Sequence, residues 1–327
     1  MAHAAPETPT TQQLHDLYPL DDIARLRIDM ARDRASGILS GEQDGTMGVL
    51  GPCALTEDSM IIRSEGAINM AVTENEEGLV IAHRLPFWKP RTNAGDWHGL
   101  ETGYPDGRPD VTGEAAHSAY RTIAVEAMLG AGVAAELGQP YHIQRYGHMM
   151  TLGWFGGRNI ANGTLMDEAA LYDTTLPLAV KNGLDGTIRP ALEHIDRLTD
   201  LRGEGAAPVV LLYRGGENAK DPQSWEREYR GAIEATAGRM IADSAHGTEM
   251  AHYQGGGFKK SVEGQEVALQ HMVQIAERTG ETPAAIMAEA SAAASPTDPV
   301  IQHRLAIRAL RRIHAVRQNQ PTRVSVR

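Results

Sequence analysis

Eight short apolar runs recur along this chain, and helix-like segments separate most of them. The runs are Gly48–Cys53, Leu79–Trp88, Tyr141–Tyr146, Gly153–Arg158, Leu176–Lys181, Pro208–Arg214, Arg239–Ser244 and Ala284–Ala288. The intervening segments are Ser59–Val72, Glu114–Leu137, Leu165–Tyr172, Ile188–Leu198, Ser224–Ala237 and Val262–Thr279, with Pro299–Gln318 after the last run. A strand covered by helices on both sides of its sheet reads as a continuous apolar run. Strand alternating with helix specifies a parallel sheet, and eight repeats specify an α/β chain closed into a (β/α)8 TIM barrel. An open doubly wound sheet is the competing architecture, but it asks for a Gly-rich first turn. The first run ends instead in Gly51-Pro52-Cys53.

One unit departs from the pattern. Only Gly147–Leu152 separates the third run from the fourth, too few residues for a crossover helix. The third β/α unit is therefore expected to be reduced, with a loop or another subunit covering that flank. Gly130-Ala131-Gly132 lies in an alanine-rich helical stretch and reads as close helix packing, not as a nucleotide loop. Residues 1–45 read as an N-terminal extension, partly disordered and helical over Gln12–Ser36; residues 46–318 form the barrel and 319–327 a flexible tail.

Composition removes several classes of function. The net charge is −11 and the isoelectric point near 5.6, which argues against a general nucleic-acid or anionic-membrane partner. No apolar run approaches the roughly 20 residues that span a bilayer. The start, Met1 to Thr11, lacks a basic region followed by an apolar stretch, so no signal peptide is read there. A single cysteine excludes an internal disulfide and fits a reducing cytoplasm.

Against that acidic background, four cations stand at the ends of strands two, four, five and six: Arg91, Arg158, Lys181 and Arg214. Any one alone reads as a solvated surface charge. Four at strand ends would converge on a barrel mouth, where guanidinium forks and an ammonium suit phosphate and carboxylate. Gly156-Gly157 and Gly215-Gly216 would let backbone approach such an anion. Cys53, His246, Glu289 and Asp298 fall at the same rim and make a mixed soft and hard donor set, suited to Mn²⁺, Fe²⁺, Co²⁺ or Zn²⁺. The pair His246 and His252 does not make a zinc helix, because an i, i+6 spacing turns the two rings to different faces. Arg304, Arg308, Arg311, Arg312 and Arg317 recur among apolar residues at helical spacing and read as the exposed side of the last helix.

Taken in order, these pieces resemble the type I 3-deoxy-arabino-heptulosonate 7-phosphate (DAHP) synthases, first enzymes of the shikimate pathway. The resemblance rests on Gly51-Pro52-Cys53, Lys89-Pro90-Arg91-Thr92, Gly157-Arg158, Lys181-Asn182-Gly183-Leu184-Asp185-Gly186, Arg214-Gly215-Gly216, Ser244-Ala245-His246 and Thr297-Asp298. It implies a (β/α)8 barrel, assembled as a homodimer or homotetramer, that condenses phosphoenolpyruvate with erythrose 4-phosphate and releases phosphate. By position, Cys53, His246, Glu289 and Asp298 would bind a divalent metal, manganese foremost. Arg91, Arg158, Lys181 and Arg214 would clasp phosphoenolpyruvate, and Lys89 and Thr92 would shape the acceptor side. Lys181, His246 and His98 would stand nearest the chemistry.

The departures from the family are specific. Its Gly-Trp-Lys-Gly segment is here Gly95-Asp96-Trp97-His98-Gly99, with histidine in place of lysine. Its Thr-Glu-Phe on strand three is matched to Ile143-Gln144-Arg145, an amide for a carboxylate, and Asp243 or a neighbour is taken as an extra residue before His246. The hairpin that serves aromatic feedback has no room in Asp200–Ala207, so feedback is expected to be absent. Two other readings stay open: a different acceptor aldehyde in a specialised pathway, and a non-catalytic homologue that binds a metabolite.

Overall fold

The structure is a computed structural model that describes residues 9–52, 55, 66, 76–87, 99–103, 114–128, 132–157, 159, 161–183, 185–215, 222–245, 262–290 and 298–319. Eight parallel strands close in sequence order into a barrel: β1 (Thr46–Gly51), β2 (Leu79–Leu85), β3 (Gly132–Glu136), β4 (Leu152–Phe155), β5 (Leu178–Lys181), β6 (Val209–Arg214), β7 (Met240–Asp243) and β8 (Ala285–Glu289). β8 pairs back to β1, with Gly51 opposite Glu289. The described helices are α1 (Thr11–Leu17), α2 (Asp22–Ser40), α3 (Ala115–Met128), α4 (Pro140–Tyr146), α5 (Gly163–Tyr172), α6 (Arg189–Arg202), α7 (Pro222–Ala235), α8 (Val262–Thr279) and α9 (Pro299–Gln318). The segment read as a helix at Ser59–Val72 falls almost wholly outside the described residues.

Two apolar layers follow from the two-residue period of the strands. Met47, Val49, Val80, Ala82, Ala134, Leu152, Trp154, Ala179, Val210, Leu212, Ile241, Ala285 and Met287 fill the barrel interior. The alternate positions, such as Leu50, Ile81, Val133, Phe155 and Leu211, pack under the helices. The end of α2 belongs to the inner layer through Ala35, Ile38 and Leu39, so it plugs the amino-terminal end of the barrel. That leaves the carboxyl-terminal end as the open face, where sites form in this architecture.

The third unit differs from the sequence expectation. Tyr141–Tyr146 is not a strand but lies in α4, and β3 is formed by Gly132–Glu136, inside the segment expected to be helix. Gly132 opens that strand opposite Ala82, and a β-carbon there would lie 3.2 Å from Ile81 O and from Thr151 Oγ1, so it serves strand pairing and not helix packing. The competing signals have clear physical origins. Val-Ala-Ala is helix-prone in isolation, but here both faces are covered and tertiary burial decides. Tyr141–Tyr146 alternates like a strand, yet Pro140 sits in the first helical turn, where its missing N–H costs nothing. The unit is short, with only α4 and the 3-10 turn Gly147–Met149 between β3 and β4.

The last helix is tied to its neighbours through the arginines read as exposed. Arg311 forks onto Glu76, Arg312 donates to Glu277 at 2.7 Å, and Arg317 donates to Pro283 O at 3.2 Å.

Candidate active site at the barrel mouth

Counting inward positions one step beyond the apolar layer gives a ring of eight residues: Gly51, Arg84, Glu136, Gly156, Lys181, Arg214, Asp243 and Glu289. Three are cations, three are carboxylates and two are glycines. Taking this many charges out of water is costly unless they pair, and most of them do. Lys181 Nζ donates to Asp243 Oδ2 at 2.6 Å, with both groups buried. Arg84 is ion-paired with Glu289, and its guanidinium lies 5.6 Å from the Trp154 ring centre.

Local bonds fix these groups. Asn182, fully buried, accepts from Arg214 N at 2.7 Å and donates to Arg214 O at 3.0 Å, which locks the ends of β5 and β6 together. Lys181 and Arg214 are thereby held on neighbouring strands. Arg214 is buried, and its Nε makes no hydrogen bond among the described residues. Burial holds the Lys181 ammonium below its ordinary value, and Arg214 adds to that while Asp243 and Glu289 oppose it. A buried guanidinium with an open donor beside a lysine is a place for an anion.

At the other side of the ring, Glu289 N donates to Gln265 Oε1 at 3.0 Å and Ala290 N donates to Gly51 O at 3.2 Å. Gly51 adopts φ 154°, and a β-carbon there would lie 2.5 Å from Arg84 O, so only glycine fits. Asp298 caps α9, with Oδ1 accepting from Val300 N at 2.7 Å.

Of the residues expected from sequence, Lys181, Arg214, Glu289 and Asp298 are described, and the first three share the mouth ring. Cys53, Lys89, Arg91, Thr92, His98, Arg158 and His246 lie outside the described residues. Among the described residues no three histidine, cysteine or acidic side chains cluster as a metal site. Three ring members went unread. Arg84 was hidden inside an apolar run, although counting by twos from Val80 and Ala82 would have aimed it inward. Glu136 was missed because β3 was misplaced. The expected loss of a carboxylate on strand three is overturned: β3 ends in Ala135-Glu136, and Gln144 lies in α4. Asp243, taken as an extra residue, ends β7 and holds Lys181. Gly156 lies against Glu136, where a β-carbon would be 2.8 Å from the carboxyl carbon.

The family model described as the DAHP synthetase I family matches residues 24–319. The chain belongs to that family. Among its relatives, the Tyr-sensitive phospho-2-dehydro-3-deoxyheptonate aldolase of Escherichia coli K12 is 24% identical over 265 residues, covering 75% of this chain and 72% of that protein. The protein of the same description from Salmonella typhimurium is 28% identical over 185 residues, which take in 56% of this chain and 51%, about half, of the relative. The solved phospho-2-dehydro-3-deoxyheptonate aldolase of Francisella tularensis SCHU S4 superposes with a TM-score of 0.74 at 17% identity, covering 97% of this chain and 99% of that one. As a DAHP synthetase I family member, the chain carries its charged ring at the end of the barrel where this architecture places chemistry.

Proposed function

We propose that the protein is a DAHP synthase, joining phosphoenolpyruvate to erythrose 4-phosphate with release of phosphate. The observation that carries this reading is Lys181 and Arg214 on adjacent strand ends, buried, with a guanidinium Nε that has no partner among the described residues, in a chain of this family. Fixed cations of this kind hold a small multiply charged acid without reorganising when it reacts.

The donor set fits a divalent ion. Glu289 is a buried carboxylate at the mouth, and the strand it pairs with leads within two residues to Cys53. Cys53, His246, Glu289 and Asp298 would hold manganese, or iron, cobalt or zinc in its place, and the ion would supply a Lewis acid for the acceptor aldehyde. Lys181 and Arg214, joined by Arg91 and Arg158, would orient phosphoenolpyruvate, with Lys89, Thr92 and His98 toward the aldehyde. The enol carbon attacks that aldehyde carbon, water adds at the carbon bearing the phosphate ester, and the tetrahedral product loses phosphate. Lys181, held by Asp243, keeps a positive charge beside the reacting acid throughout.

Residues 203–208 join α6 to β6 with no hairpin, which supports an enzyme free of aromatic amino-acid feedback. Ile23, Leu26 and Met30 form an exposed apolar stripe on α2, 64%, 60% and 56% exposed, which supports assembly as a homodimer or homotetramer. Among the described residues no helix is long and apolar enough to cross a membrane, in keeping with a cytoplasmic enzyme.

Phosphate release from phosphoenolpyruvate, measured with manganese across a panel of aldehydes, tests the reading. Erythrose 4-phosphate is expected to be the best acceptor. A clear preference for another aldehyde would shift the assignment to a specialised synthase, and no release with any aldehyde and any of the four metals would favour a non-catalytic homologue.

A further inference from the structure

Asp243 uses its two carboxylate oxygens in two directions. Oδ2 accepts from Lys181 Nζ at 2.6 Å, across the barrel from β7 to β5. Oδ1 accepts from Ala245 N at 2.9 Å, bending the chain as it leaves β7. The residue between them secures the same turn: Ser244 N and Ser244 Oγ both donate to Met287 O at 2.9 Å, tying the turn to β8. The next residue after Ala245 is His246. One buried side chain, 1% exposed, thus bridges the lysine proposed to hold phosphoenolpyruvate and the backbone that delivers a proposed metal ligand.

We infer that Asp243 is a positioning residue for the condensation, with separable duties: one oxygen sets Lys181, the other sets the approach to His246. The inference rests on the DAHP synthase reading above. Both duties follow from geometry. A buried lysine ammonium without a partner turns toward water or sheds its proton, so Lys181 needs a fixed anion to stay aimed into the mouth. A strand end that must deliver an imidazole needs a defined exit direction, and a carboxylate bonding the amide two residues on is the short-range means of fixing it.

Asparagine and alanine separate the duties. In Asp243→Asn the amide oxygen still serves Ala245 N, but the amide NH₂ faces the ammonium. The KM for phosphoenolpyruvate is expected to rise at least about tenfold, the scale of a lost charge-assisted bond. Manganese affinity, read from the electron paramagnetic resonance signal of free Mn²⁺, is expected to stay within about threefold of wild type, a factor worth under 1 kcal/mol. Asp243→Ala removes both bonds, so manganese affinity falls as well, by about tenfold or more. The double variant Lys181→Met with Asp243→Asn removes the buried charges together and serves as the folded control. It is expected to recover the melting temperature lost in Asp243→Asn while leaving phosphoenolpyruvate use impaired.

An unchanged KM in Asp243→Asn, or wild-type manganese affinity in Asp243→Ala, would overturn the inference. If Asp243→Ala does not fold, the asparagine and double variants decide: coupled loss of manganese affinity in Asp243→Asn would contradict the division of duties. An inactive wild-type protein would instead count against the DAHP synthase reading, so the two failures are distinguishable.

Discussion

At the mouth of the barrel, the smallest residue carries one of the tightest constraints. Gly51 adopts φ 154°, and a β-carbon there would lie 2.5 Å from the backbone oxygen of Arg84, which cannot turn aside as a side chain can. Gly51→Ala must therefore disturb the pairing of β1 with β2 at the mouth, and overpacking of this kind costs about 1–3 kcal/mol. The loss is expected in chemical denaturation, together with weaker substrate use, whereas Gly156→Ala, which would meet only the flexible end of Glu136, should be milder. Equal stability of the Gly51 variant and wild type would contradict this. The same residues show what a sequence reveals about a site. Lys181, Arg214 and Glu289 were legible because each closes an apolar run. Arg84 and Asp243 were not, since one sits within a run and the other looks like a length difference. Their roles depend on partners from distant strands, Glu289 and Lys181, which sequence spacing does not display.

Helix α4 shows how an element that looks diminished can still organise its surroundings. Glu101 brings its carboxylate, 7% exposed, to four of its residues: His142 Nε2 at 3.1 Å, Arg145 Nη1 at 3.0 Å, Tyr146 Oη at 2.8 Å and Tyr141 Oη at 2.9 Å. Arg145 in turn donates to Pro9 O at 3.1 Å, and α1 approaches through His15. Burial alone would raise the Glu101 acid, but bonds from His142, Tyr146 and Tyr141 leave it below its ordinary value. Leu100 N and Glu101 N also bond Pro86 O and Phe87 O at 2.7 and 2.8 Å. The stretch from Phe87 to Gly99, which holds Lys89, Arg91, Thr92 and His98 in sequence, thus starts and returns at fixed points. Glu101→Gln leaves Arg145 without its anion, and breaking a buried pair costs about 3–5 kcal/mol. Faster amide exchange is expected in both 99–103 and 140–146; exchange confined to one of them would show that the two are not coupled. Seven of the eight strands were legible as apolar runs. The third was not, because alanine packs well in a crowded strand while carrying the local preference of a helix.

Across the whole molecule, acid stability is set in part by histidines buried in the uncharged state. Burial pulls His148 down to about 4, with His15, Arg32 and Arg25 adding to it and Asp173 opposing. Burial likewise pulls His303 down to about 3, with His83 adding. In the unfolded chain both titrate near 6.5. Below that pH the unfolded state binds more protons than the folded state, so stability rises with pH there. The contribution is complete above about 6.5 and is lost as pH falls toward about 4 and about 3. The urea midpoint is expected to drop between pH 7 and pH 4.5, and less steeply in His148→Gln. A midpoint independent of pH in wild type would contradict this.

The charged ring brings these scales together, since glycine, strand end and closed barrel all serve to hold it. Calorimetric titration of phosphoenolpyruvate into the manganese-loaded protein, with no aldehyde present, tests that claim most directly. Saturable binding at one site per chain is expected, weakened at least about tenfold in Arg214→Ala, as loss of a charge-assisted contact requires. No binding by wild type, or equal binding by wild type and Arg214→Ala, would show that the ring is not where this protein holds its substrate.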